Sequence, residues 1–206
     1  MVLDIDTPHG PAKAHLHLVE TPAAALVLGH GAGGGVGAPD LVTATEAARS
    51  LGISVALVEQ PYRVAGLRSP APAHQLDAAW TAVVERLLAD ELQGLPLVAG
   101  GRSLGARVAC RTVEATGALA VLCLAFPLHP PGRPEKSRLS ELDAVSVPTL
   151  VVQGARDPFG MPPPGPRRTV VGVAGDHGLK SDRRAVADAV RTWLLDSSRL
   201  QLERKE

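Results

Sequence analysis

The chain reads as an α/β fold: a mostly parallel central sheet of about six or seven strands, flanked by helices, with no large cap domain. Three observations predict it. From residue 24 onward, short apolar runs alternate with longer stretches of helical periodicity, the pattern of strands joined by helical crossovers. Residues 24–28 are apolar at every position, as a strand covered on both faces must be. Residues 95–105 pass from an apolar run through two glycines and a serine directly into a helical pattern.

In chain order, residues 15–19 read as a strand and 24–28 as the next. Residues 40–51 form a helix stopped by Gly52, a residue suited to the left-handed turn that ends helices. Residues 53–58 are a strand. The strongest helical pattern covers 74–92, where Leu76, Ala79, Trp80, Val83, Val84, Leu87 and Leu88 recur at three- and four-residue steps. That spacing puts Trp80 on the core face. Residues 95–99 are a strand and 106–113 a helix; 119–124, 149–152 and 168–173 are strands, the last more exposed at its start. A closing helix covers 182–195 with Ser181 as its N-cap. The whole is taken as one domain, 1–206, with 197–206 as a frayed tail and 127–148 as the only place for a short cap.

Composition narrows the function. Lys+Arg and Asp+Glu balance at 21 each, which gives no field for nucleic acid or an anionic membrane. Cys110 and Cys123 each sit inside apolar runs and read as small buried thiols, not as a disulfide or metal ligands. The N-terminus lacks a basic segment followed by an apolar one, and no run reaches about 18 apolar residues. A cytoplasmic protein that meets no membrane is the expectation. No histidine spacing suggests a metal. The glycines at 31–35 lack the Lys-Ser/Thr ending of a phosphate loop, so no cofactor is expected.

The chemistry concentrates at Gly101-Arg102-Ser103-Leu104-Gly105. A G-x-S-x-G between strand and helix makes a turn tight enough to expose the serine hydroxyl, with first-turn N–H groups beneath it. A serine hydroxyl needs a base to take its proton, and the base needs a carboxylate to orient it. Two later residues sit just past strands in the required order: Asp157, before Pro158, and His177, between Gly175 and Gly178. Asp176, the immediate neighbour of His177, is read as shaping that loop.

The pieces Gly29-His30-Gly31-Ala32-Gly33-Gly34, Gly100-Gly101-Arg102-Ser103-Leu104-Gly105, His129-Pro130-Pro131-Gly132-Arg133-Pro134-Glu135, Gln153-Gly154-Ala155-Arg156-Asp157-Pro158-Phe159-Gly160 and Gly175-Asp176-His177 together resemble a small, capless α/β-hydrolase. More narrowly, they resemble the dienelactone-hydrolase-like family. The resemblance implies a serine hydrolase acting on a small acyl substrate, with Ser103, Asp157 and His177 as the triad. It also implies an oxyanion hole made by the backbone N–H groups of Leu104 and Ala32. One departure matters: dienelactone hydrolases use cysteine as nucleophile, and this chain has Ser103. His30, Arg102 and His129 are candidate substrate contacts. His30 reads as a brace for the oxyanion loop and not as a base, because it precedes Ser103 in the wrong order for this fold. His129 serves equally as a brace for its Pro-rich loop. Arg102 with Arg63 reads either as a grip on a carboxylate or other anionic group or as a pair of solvated arginines. Eukaryotic members of the same family include a subunit of a chromatin-modifying assembly, so a non-catalytic binding protein on this frame is the competing expectation.

Overall fold

The computed structural model describes residues 1–196; the tail expected over 197–206 lies outside them. Among the described residues eight strands join in one sheet: β1 Val2–Ile5, β2 Ala12–His17, β3 Ala24–Gly29, β4 Ile53–Glu59, β5 Leu97–Arg102, β6 Ala120–Leu124, β7 Thr149–Gly154 and β8 Arg168–Val173. Their spatial order is β1-β2-β4-β3-β5-β6-β7-β8. The six strands from β3 to β8 pair in parallel, while β1 and β2 are antiparallel additions at one edge.

That edge departs from expectation. β2 begins at Ala12, not residue 15, and β1 was not anticipated. In β2 the inward positions are Ala12, Ala14 and Leu16, and the alternating Lys13, His15 and His17 are half-buried. Two alanines carry too little apolar signal to mark an alternating strand. β1 is mostly exposed and is defined by its ladder to β2, which composition does not announce. β5 also runs three residues past its expected end, through both glycines to Arg102. A Cβ on Gly100 would stand 2.3 Å from the Leu122 carbonyl oxygen, so the close β5–β6 approach requires glycine here.

The helices are α1 Pro39–Arg49, α2 Pro61–Val64, α3 Ala73–Ala89, α4 Leu104–Arg111, α5 Val113–Thr116, α6 Leu139–Asp143 and α7 Arg183–Leu195. α1 and α7 cover one sheet face, burying Leu41, Val186 and Trp193 against Leu26, Val55 and Leu122. α3, α4 and α5 cover the other, where Trp80, Leu87 and Ala106 meet Val27, Val121 and Phe126. Trp80 is fully buried, as its place in the helical pattern implies. Gly52 ends the first crossover at φ +74°. The helix expected at 106–113 starts two residues earlier and breaks at Thr112. The N-cap of α7 is Asp182, whose Oδ1 accepts from the Ala185 N–H at 2.9 Å, not Ser181. Ser181 Oγ instead packs where a Cβ on Gly175 would be. Between β6 and β7 lies one five-residue helix, α6, and no separate cap.

Cys110 on α4 and Cys123 on β6 are buried free thiols with their sulfurs 3.6 Å apart. Burial and its neighbour push the Cys123 thiol well above the ordinary range, the Cys110 contact being the larger cause.

Candidate active site

The site is assembled by the ends of three parallel strands. β5 runs into Ser103, whose backbone sits at φ 52°, ψ −107°. A non-glycine residue there is strained by about 1–3 kcal/mol and persists only where its surroundings enforce it. The enforcement is backbone contact. Cβ atoms on Gly101 and Gly105 would stand 2.5 Å and 2.3 Å from the Gly29 carbonyl oxygen, so β3, the turn and α4 meet with no room for a side chain. The Ser103 N–H donates to the Leu124 carbonyl at 2.9 Å, which ties the turn to β6.

β7 leads into Asp157, whose side chain is 1% exposed. Its Oδ1 accepts from the Phe159 N–H at 2.8 Å. Its Oδ2 accepts from Gln153 Nε2 at 2.8 Å and from His177 Nδ1 at 2.8 Å. β8 leads into the His177 loop, which closes on the acid loop because Gly154 has no Cβ: one would stand 2.3 Å from the Asp176 carbonyl oxygen. The Phe159 ring lies against the imidazole, centroids 4.2 Å apart. His177 Nε2 is 2.9 Å from Ser103 Oγ. With Nδ1–H donated to the carboxylate, Nε2 is left to accept the serine proton. The three residues singled out in the sequence therefore meet in one line.

The loop after β3 completes the arrangement. The ideal Cβ position of Gly31 is 3.5 Å from Ser103 Cβ, which sets this loop against the serine. Tyr62 O–H donates to the Ala32 carbonyl at 3.1 Å. Leu104 is the first residue of α4, and a first-turn N–H has no acceptor within its own helix. His30 is 2% exposed and spends both ring nitrogens on backbone: Nδ1–H donates to the Gly31 carbonyl at 2.8 Å, and Nε2 accepts from the Gln60 N–H at 3.1 Å. Burial holds its pKa below the ordinary histidine value. His30 thus braces the loop as a neutral ring and has no nitrogen left for a substrate.

The other two candidate contacts also engage protein groups. Arg102 is turned onto protein partners: its Nε is 2.7 Å from Asp40 Oδ2, and its Nη2 donates to the His177 carbonyl at 3.0 Å. His129 Nδ1 donates to the Pro130 carbonyl at 2.9 Å, and its N–H donates to the Phe159 carbonyl at 3.0 Å. Its ring lies over Gly160, at φ +89°, where a Cβ would be 2.5 Å from Nε2. Arg63 donates to the Leu67 carbonyl at 3.4 Å. Asp176 shapes its loop as expected, accepting from the Gly178 N–H at 2.9 Å.

Two contributors escaped the sequence reading as functional residues: Gln153 and Asp40. Gln153 left a signal. It is a polar amide closing the apolar run of β7, it is fully buried, and its Nε2 also faces the Phe126 and Gly160 carbonyls at 3.0 and 2.9 Å. Asp40 left none, because a carboxylate in a first helical turn needs no further reason. Among the described residues no helix is long and apolar enough to cross a membrane.

Comparison with known proteins agrees with this architecture. A family model described as an alpha/beta hydrolase domain matches residues 22–193. A lidless α/β serine hydrolase from Xanthomonas campestris superposes with a TM-score of 0.71 at 24% identity, covering 94% of both chains. Est1E from Butyrivibrio proteoclasticus gives 0.76 at 16% identity, covering 96% of this chain and 98% of its own. A dienelactone hydrolase from Anabaena variabilis gives 0.73 at 17% identity, covering 94% and 95%. Among curated proteins, none matches this sequence.

Proposed function

The chain belongs to the alpha/beta hydrolase domain family, and from that premise we propose that it is a serine hydrolase cleaving an ester, thioester or related acyl bond of a small substrate. The observation that carries this reading is the unbroken line from Ser103 Oγ through His177 to Asp157, with steps of 2.9 and 2.8 Å. Such a line has a use only if a proton moves along its first step.

Ser103 Oγ attacks the acyl carbon as His177 Nε2 takes its proton. The carbonyl π pair moves onto oxygen, and the N–H groups of Leu104 and Ala32 hold the resulting oxyanion. The intermediate collapses, breaking the bond to the leaving group, which receives the proton from His177 Nε2. Water then attacks the acyl-enzyme with the same base, and Ser103 leaves with the proton returned. Asp157 stays ionised; it keeps the imidazole in one tautomer and offsets its transient charge. Each oxyanion donor of this kind contributes about 3–4 kcal/mol of transition-state stabilisation.

A fluorophosphonate probe is expected to label the native protein at Ser103 and to leave Ser103→Ala unlabelled. A panel of short-chain nitrophenyl esters should be turned over by the native protein only. Failure of the folded native protein to label or hydrolyse would overturn the reading and favour a binding protein on the same frame.

A further inference from the structure

Arg102 is the residue immediately before the nucleophile and the last of β5. Its guanidinium meets three separate parts of the site. Nε pairs with Asp40 at 2.7 Å, Nη2 donates to the backbone carbonyl of His177 at 3.0 Å, and Nη1 lies 2.7 Å from the ideal Cβ position of Gly31 in the oxyanion loop. Asp40 is fully buried, the second residue of α1, and its Oδ1 accepts from the Leu41 N–H at 2.9 Å.

Stability is a poor reason for this pair. Taking a carboxylate out of water costs several kcal/mol that an ion pair only partly offsets, and burial accordingly pushes the Asp40 carboxyl above its ordinary range despite the arginine beside it. The loop it reaches does need holding. Leu179, two residues after His177, sits at φ 47°, a left-handed conformation costly for a bulky side chain. Further backbone restraints flank His177: Arg156 N–H to the Gly175 carbonyl at 2.8 Å, Leu179 N–H to the Asp176 carbonyl at 3.2 Å and Gly178 N–H to Asp176 Oδ1 at 2.9 Å. At residue 177 itself, the backbone is gripped by Arg102.

The geometry points to Arg102, anchored by Asp40, as a positioning residue that fixes the backbone of His177 relative to Ser103 and so sets the base-to-nucleophile distance. The inference rests on the hydrolase reading for its kinetic consequence, and it replaces the expectation that Arg102 grips an anionic substrate. The role demands arginine. One planar fork reaches the carboxylate and the carbonyl at once, whereas a lysine ammonium is a single point of charge.

The test compares Arg102→Met, Arg102→Lys and Asp40→Asn with the native chain, each first checked for folding by thermal unfolding. Two substrates are used, neutral nitrophenyl acetate and the carboxylate-bearing nitrophenyl hemisuccinate. Arg102→Met is expected to lower kcat by about 10- to 100-fold on both, as a displacement of about 1 Å at a reacting group does. KM should stay within about twofold on both. Arg102→Lys should recover part of kcat, and Asp40→Asn should lose less than Arg102→Met. Independently of turnover, amide exchange at residues 175–179 should quicken by about tenfold or more in Arg102→Met. Unchanged kcat with unchanged exchange overturns the proposal, and so does a rise in KM confined to the hemisuccinate. If the native chain neither labels nor hydrolyses, the hydrolase reading fails, and the exchange comparison alone decides whether Arg102 holds the loop.

Discussion

The two halves of the site are held by different means. On the Ser103 side, the turn is locked by backbone against backbone: a Cβ on Gly101 or Gly105 would run into the Gly29 carbonyl oxygen, and the Ser103 N–H is tied to β6. On the His177 side the two loops also meet backbone to backbone, where Gly154 leaves no room for a Cβ against the Asp176 carbonyl, but the groups themselves are set by added contacts: Gln153 and the Phe159 N–H hold the Asp157 carboxylate, and Arg102 holds the His177 carbonyl. Ser103 follows β5 in the interior of the sheet, between β3 and β6, and the Asp157–His177 pair follows β7 and β8 at its edge, where β8 is half exposed. The difference teaches that damage on the two sides should differ in kind. Changes at the elbow glycines should cost the fold, and changes at the supporting side chains should cost alignment while the fold stands.

The largest expected effect comes from the chemistry itself. Ser103→Ala or His177→Ala should lower kcat on a nitrophenyl ester by about 10⁴-fold or more, and the double variant should lose little beyond either single one, as steady-state rates would check. A double variant losing the product of the two would break the idea that the halves act as one unit.

Next is Gly105→Ala. Its Cβ would enter to 2.3 Å of the Gly29 carbonyl oxygen, so the turn or β3 must move. A loss of about 3 kcal/mol or more in urea unfolding is expected. An unfolding midpoint near the native one would show that the elbow tolerates the shift and that the two sides of the site do not differ in kind.

Gln153→Met tests the other side. It keeps the volume, removes the donor to Asp157 and leaves the Phe126 and Gly160 carbonyls without it. Stability should fall by about 1–3 kcal/mol, less than for Gly105→Ala, while kcat falls by about tenfold or more through the freed carboxylate. Paired denaturation and rate measurements separate the two losses.

The smallest effect is a pH dependence at the loop after β3. The His30 pKa is held down by burial, so the unfolded chain takes up a proton that the folded chain refuses. Stability is full above the ordinary histidine value and falls as pH drops below about 6.5, by at most about 1.4 kcal/mol per pH unit. His30→Asn should flatten that acid slope. His17, also held down by burial, contributes with the same sign, and His17→Asn serves as the comparison. An unchanged slope in His30→Asn would mean that the ring accepts the proton in place, against its bond from the Gln60 N–H.

Local sequence was sufficient for the crossover pattern, the core place of Trp80, the elbow and the order of Ser103, Asp157 and His177. Each is written in a periodicity, a tight turn or a position just past an apolar run, all features spanning a few residues. β1, the start of β2 and the glycine end of β5 were not legible, because a ladder partner far along the chain defines them. The same holds for the supporting residues. Arg102 and Asp40 are 62 positions apart, and nothing in either segment announces the other. Only the folded sheet, by bringing the ends of β3, β5, β7 and β8 to one edge, decided that Arg102, beside Ser103, would reach the His177 carbonyl and that His30 would face backbone. Contacts between distant segments depend on the register and closure of the whole sheet, which no short stretch of residues contains.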